Sequence, residues 1–242
     1  MLVIAHRGAS AVAPENTLLA MQMAINMGVD GIEIDVHEVE DEHLVIHDRW
    51  LHRTTQVRGR LTDFSLARLR ELDAGQGQRI PTLWEVMQEV RGQCSLNIEL
   101  KGVTHVIPIL RLLDKAVQEL GFDYSQLLLS SFNHHLLFEI KQIRPELLTG
   151  ALTASCPLDY AAFAHTLQAF SIHIYLDFVN PAFVADAKDK GLQVYVYTVD
   201  EVEDMDMLRA WGVDGIFTNM PDRAIAHLRQ PVVTQPQVPE QL

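Results

Sequence analysis

"MGVDGIEIDV", residues 27–36, returns near the end of the chain as "WGVDGIFTNM", residues 211–220. The shared GVDGI reads as a joint between a helix and a strand. Its first glycine ends a helix in the left-handed conformation, and its second opens a strand where close packing leaves no room for a Cβ. What the two copies share is therefore scaffold. They part further along the strand, at Glu33 and Asp35 in the first and Phe217 and Asn219 in the second, which locates chemistry at the first copy.

Either side of this joint, short runs rich in Val, Ile and Leu alternate with longer amphipathic segments. The pattern predicts strands over 2–6, 31–36, 96–101, 127–131, 147–152, 172–176, 193–199 and 215–219. Helices are expected over 16–27, 82–90, 106–120, 134–143, 159–167, 181–190, 201–211 and 221–228, with Asn16 as the first N-cap. Strand runs separated by helices imply parallel βαβ units, and eight of them an α/β fold of the (β/α)8 TIM-barrel type. Residues 48–80 break the alternation, with one short helical pattern at 65–72, and read as a small insertion after strand two on the face where βα loops build active sites. One catalytic domain over 1–229, insertion included, is expected. The Pro- and Gln-rich stretch 230–242 lacks periodicity and reads as a flexible C-terminal tail.

Composition narrows the function classes. Nineteen Lys and Arg against 32 Asp and Glu give a net charge of −13, the wrong sign for a partner that must neutralise nucleic-acid phosphates, and unfavourable for stable association with anionic membranes. The balance fits an enzyme that concentrates a metal cation. The two cysteines, Cys94 and Cys156, are too few for a disulfide framework and read as small core residues. With no signal-like amino terminus and no long apolar run, a cytoplasmic location is expected. Oligomeric state is not legible.

A strand period of two places Glu33 and Asp35 on one face of GIEIDV, with Ile32, Ile34 and Val36 on the other. Carboxylates so placed repel unless a cation lies between them, and hard oxygen ligands favour Mg²⁺ or Ca²⁺. LNIELK repeats the device: Asn97, Glu99 and Lys101 share one face, so a third carboxylate joins the same rim with an ammonium just beyond it. His6 closes strand one and His47 closes LVIHD. Two imidazoles at a carboxylate rim can take a proton from one oxygen and give one to another. The remaining histidines, His173 and His37 among them, read as structural. Asp48 adjoins His47, but neighbouring side chains on an extended segment point apart, so no role is assigned to it. Arg7 offers a rigid fork of donors suited to phosphate oxygens.

These residues sit in stretches (HRG, PENT, GIEIDV, VIHD, RTT, LDAG, IPTLWEV, NIELK and GVDGIFTNMPD) whose order resembles the glycerophosphodiester phosphodiesterase family, over residues 3 to 228. The resemblance implies metal-dependent hydrolysis of glycerophosphodiesters, the deacylated head groups of phospholipids, to sn-glycerol 3-phosphate and an alcohol. It implies His6 and His47 as the acid/base pair, Glu33, Asp35 and Glu99 as ligands of one divalent cation, and Arg7 and Lys101 as phosphate partners. Water, or the neighbouring glycerol hydroxyl by way of a cyclic phosphate, is the nucleophile. Two departures stand out. Tyr197 occupies the place where the family usually carries a tryptophan, keeping an aromatic substrate wall of different width, and EVEDEH (38–43) lacks a glycine common after the aspartate. The competing readings are a phospholipase C- or D-like barrel acting on lysophospholipids, and a non-catalytic barrel serving as a binding module.

Overall fold

The computed structural model describes residues 1–229, so the tail expected over 230–242 lies outside the described residues. Nine strands run in chain order as β1 (Leu2–His6), β2 (Gly31–Val39), β3 (Glu42–Val45), β4 (Ser95–Gly102), β5 (Leu127–Ser131), β6 (Leu148–Thr153), β7 (Ser171–Tyr175), β8 (Gln193–Tyr197) and β9 (Gly215–Thr218). Eight of them, all but β3, are parallel neighbours around a ring that closes where β1 pairs with both β2 and β9. The fold is a (β/α)8 TIM barrel. Closure removes the sheet edges that an open array would expose. The helices that cover it are α1 (Leu18–Met27), α3 (Leu83–Val90), α4 (Val106–Leu120), α5 (His134–Ile143), α6 (Ala162–Thr166), α7 (Pro181–Asp189), α8 (Val202–Ala210) and α9 (Pro221–Leu228), with the one-turn α2 (Leu66–Leu69) in the insertion.

The alternation read in the strands is realised as two surfaces. Ile32, Ile34 and Val36 of β2 and Leu96, Ile98 and Leu100 of β4 are buried in one cluster with Leu83, Val86 and Met87 of α3. The inward set includes a smaller apolar cluster of Ile4, Leu128, Tyr195 and Phe217. The GVDGI joints take the conformation expected of them. Gly28 and Gly212 have φ of 76° and 83°, and a Cβ on Gly31 would lie 2.3 Å from Ser95 Oγ.

Where the structure differs from the sequence reading, local hydrogen bonding gives the reason. LVIHD continues a ninth strand: β3 turns back on β2 antiparallel, pairing Val45 with Val36. Helix α1 begins at Leu18, capped by Thr17 Oγ1, which accepts from the Ala20 N–H at 3.3 Å. Asn16 is no cap because its amide is engaged by Asp35. In the insertion, Leu51, Leu61, Leu69, Leu72 and Ile80 pack with Val39, Leu44 and Ile46 into a core of their own beside the barrel. Cys94 is buried, but Cys156 is exposed, in the loop between β6 and α6.

Candidate active site

The strand register brings the acidic residues to neighbouring positions on β2 and β4. Glu33 of β2 stands beside His6 of β1, and Asp35 stands beside Glu99 of β4. Glu33, Asp35 and Glu99 are all buried, and one carboxylate oxygen from each lies within 4.8 Å of the others. Such a cluster needs positive charge, and the chain supplies part of it. Lys101 Nζ lies 2.7 Å from Glu99 Oε1 and 3.4 Å from Asp35 Oδ1, and Arg7 Nε lies 3.2 Å from Asp35 Oδ2.

Those cations settle the ionisation unevenly. Burial opposes the charge on Asp35, yet Lys101 and Arg7 together hold its carboxyl below its ordinary value. Burial pushes Glu99 up, with Asp35 adding repulsion. Glu33, completely buried and repelled by Asp35 and Glu99, is held well above the usual carboxylate range. Its Oε2 accepts the Arg7 backbone N–H at 3.0 Å, but Oε1 is buried with no hydrogen-bond partner. An orphaned oxygen in a buried cluster of three carboxylates, an all-oxygen donor set, fits a hard divalent cation.

The two histidines reach this cluster from different elements. His6 Nε2 lies 4.0 Å from Glu33 Oε2, while its Nδ1 is 2.8 Å from Asn219 Oδ1. Burial, with help from the Arg7 charge, lowers the His6 pKa to about 4. His47 follows β3 on a segment tied to the cluster, since the Ile46 N–H donates to the Asp35 carbonyl at 2.9 Å. Its Nδ1 lies 2.6 Å from Asp48 Oδ1, and burial lowers its pKa as well. His37 is structural, its Nε2 lying 3.0 Å from the His47 carbonyl.

Arg7, read as a phosphate clamp, is here a bridge between carboxylates: besides Asp35 it donates from Nη1 to Glu15 Oε1 at 3.0 Å. Arg53 of the insertion grips the same Glu15 at 2.6 Å and also pairs with Asp48, so the insertion is pinned to the rim beside His47. The far wall is aromatic. Tyr197 lines the same cavity as His6, Glu33 and Glu99, donates its hydroxyl to the Thr153 carbonyl at 2.9 Å, and meets the ring of Phe132 at 6.2 Å and that of Tyr175 at 5.6 Å.

All eight residues singled out in the sequence thus gather at the C-terminal end of the barrel strands, where TIM-barrel enzymes do their chemistry. The model of the glycerophosphoryl diester phosphodiesterase family matches residues 6–223. The chain belongs to that family. It is similar to a glycerophosphodiester phosphodiesterase of Caldanaerobacter subterraneus, at 39% identity over 239 residues that cover 95% of this chain and 98% of the relative. Among solved structures it resembles an Oleispira antarctica phosphodiesterase in complex with the product sn-glycerol-3-phosphate, with a TM-score of 0.86, 29% identity and coverage of 95% and 97% of the two chains. A glycerophosphodiester phosphodiesterase of Agrobacterium tumefaciens superposes with a TM-score of 0.78 at 28% identity, covering 93% of this chain and 99% of its own.

Membership in the glycerophosphoryl diester phosphodiesterase family makes the chain a phosphoric diester hydrolase. Among the described residues no helix is long and apolar enough to cross a membrane. The sequence reading passed over several residues that complete the site. Asn16 donates from Nδ2 to Asp35 Oδ2 at 2.9 Å. Glu15 and Arg53 tie the insertion to Arg7, and Asp48 turns back onto His47. Asn219 was read as a point where the second copy departs from the first, with chemistry assigned to the first copy alone. The signal for it was the echo itself: GVDGI places Asn219 at the position Asp35 holds in the first copy, and the strands carrying the two copies lie on either side of β1.

Proposed function

We propose that the chain hydrolyses glycerophosphodiesters to sn-glycerol 3-phosphate and an alcohol, using one divalent cation, Mg²⁺ or Ca²⁺, held by Glu33, Asp35 and Glu99. The observation that carries this reading is the buried cluster of those three carboxylates with a Glu33 oxygen left unpartnered. When bound, the ion supplies Lewis-acid stabilisation of the charge that builds on the phosphoryl oxygens. Arg7 and Lys101, each paired with carboxylates of the cluster, add positive charge beside the phosphate. His6 and His47 move the protons: one imidazole takes a proton from the attacking oxygen, that of water or of the neighbouring glycerol hydroxyl, and the other gives one to the alkoxide as the P–O bond breaks, water opening the cyclic phosphate where the hydroxyl attacks. Tyr197 forms part of the wall against which the organic substituent packs.

The names of the relatives and the product held by the Oleispira phosphodiesterase support this choice of substrate and product over a lysophospholipid-cleaving barrel or a binding module. Purified protein is expected to release glycerol 3-phosphate from choline, ethanolamine and glycerol diesters when Mg²⁺ or Ca²⁺ is present, and to stop when a chelator is added. No release from any of the three with either ion would overturn the reading. His6→Ala and His47→Ala should each lower turnover by roughly 10²–10⁴-fold, the usual contribution of general acid–base catalysis. Near-normal turnover in either variant would remove the two-histidine mechanism.

A further inference from the structure

Behind His6 stands a chain of hydrogen bonds to which neither the metal cluster nor the proton transfer, as described so far, assigns a role. Asn219, just past the end of β9, sets Oδ1 2.8 Å from His6 Nδ1 and 3.0 Å from Ser10 Oγ. Its Nδ2 donates to Asp200 Oδ2 at 2.7 Å, and its backbone N–H donates to Asp200 Oδ1 at 2.8 Å. Thr218 Oγ1 donates to the same Asp200 oxygen at 2.9 Å.

This network leaves one orientation for the amide. A carboxylate only accepts, so the Asn219 NH₂ must face Asp200, and the amide oxygen must face His6 and Ser10. Turned over, the amide would set oxygen against oxygen at Asp200. An amide oxygen also only accepts, so the hydrogen of the neutral His6 ring sits on Nδ1. That leaves Nε2, the nitrogen aimed at Glu33, with its lone pair bare.

We propose that Asn219, locked by Asp200, is a positioning residue that holds His6 as the Nδ1–H tautomer and aims its unprotonated Nε2 at the reacting phosphodiester. The two proton carriers are thereby oriented by different devices. His47 is held by the carboxylate of its own neighbour, Asp48, whereas His6 is held by a neutral amide delivered from the opposite end of the chain. The inference rests on the reading of His6 as a proton carrier, but the tautomer can be measured without turnover.

The experiment is nitrogen-15 NMR of the full chain labelled at histidine, with Mg²⁺ present and at pH 8, the His6 signals being assigned by their loss in His6→Ala. Wild-type protein is expected to show a protonated Nδ1 and an unprotonated Nε2 at His6. In Asn219→Ala that pattern should reverse or average between tautomers, and kcat should fall about tenfold or more, up to the roughly 10⁴-fold at the top of what a general acid or base contributes, while KM stays within about threefold. Asp200→Asn, close in volume, frees the amide to rotate and should give a mixture of tautomers. A hydrogen on Nε2 in the wild type overturns the proposal, as does an unchanged tautomer in a folded Asn219→Ala. Full turnover in His6→Ala would instead overturn the acid–base reading and leave the tautomer result standing.

Discussion

Asn16 and Asp35 bind each other twice: the Asn16 amide donates to Asp35 Oδ2 at 2.9 Å, and the Asp35 backbone N–H donates to Asn16 Oδ1 at 3.3 Å. The pair fastens the loop after β1 to the middle of β2, and leaves Asp35 Oδ1 for Lys101, whose Nζ lies 3.4 Å away. Asn16 has a φ of 58°, a conformation that alanine adopts only with strain, so Asn16→Gly isolates the side chain's contribution. Losing the amide should lower thermal stability by about 1–3 kcal/mol. It should also weaken Mg²⁺ or Ca²⁺ binding by about 10–100-fold, as removal of ligand-supporting groups does. Calorimetric titration checks the second figure; unchanged metal affinity would show that Asn16 serves the loop alone.

Glu33 gives a prediction whose sign depends on metal. Its native carboxyl is held well above the ordinary value, first by burial and then by Asp35 and Glu99, so its contribution to stability is present below the unfolded value of 4.5 and is lost as pH rises through the native one. With chelator at pH 8, Glu33→Gln should therefore melt higher than the wild type. Adding Mg²⁺ or Ca²⁺ reverses the order, because only the wild type gains about 2.7 kcal/mol at a hundredfold excess over Kd. Melting curves with and without chelator decide it, and a variant that melts lower in both conditions contradicts the account.

His173 lies wholly inside the barrel, its Nε2 2.8 Å from Ser171 Oγ and its ring against Tyr195 and Phe217. Burial pushes its pKa from 6.5 down to about 3. Between those values the unfolded chain binds a proton that the native protein refuses, so stability is full above 6.5 and falls as the medium is acidified. The slope from this one group approaches about 1.4 kcal/mol per pH unit. His173→Gln keeps a partner for Ser171 and has no such proton. Denaturant titrations between pH 6 and 4 should show a shallower loss of stability in the variant, and parallel curves would refute the assignment.

Asp48 stands between His47 and Arg53. Asp48→Asn removes the charge beside the His47 ring and the ion pair that pins the insertion. Turnover should fall, by no more than the roughly 10²–10⁴-fold a proton-transfer group contributes, with KM little changed. If KM alone rises, Asp48 acts by shaping the insertion and not by orienting the imidazole.

The barrel was legible because its evidence is local. Glycines end α1 and α8 just before the joints, at Gly28 and Gly212, and helix α3 carries its own capping box in Thr82 and Glu85. Strand β3 was missed because Glu42–Val45 is four residues long and its pairing depends on a partner strand. Asn16 was read as a cap because its position before α1 suits one, but a cap and a buried carboxylate compete for the same amide, and Thr17 was free to cap instead.

By itself the sequence determined that Glu33, Asp35, Glu99 and Lys101 share inward faces of their strands, since a period of two leaves no other arrangement once the apolar residues are buried. Tertiary structure alone decided what holds them and the histidines in place. The bond from His6 to Asn219 spans 213 residues of chain, and it exists only because the ring closes with β9 beside β1. A polar side chain's partner depends on strand order and register, which the residues flanking it do not encode.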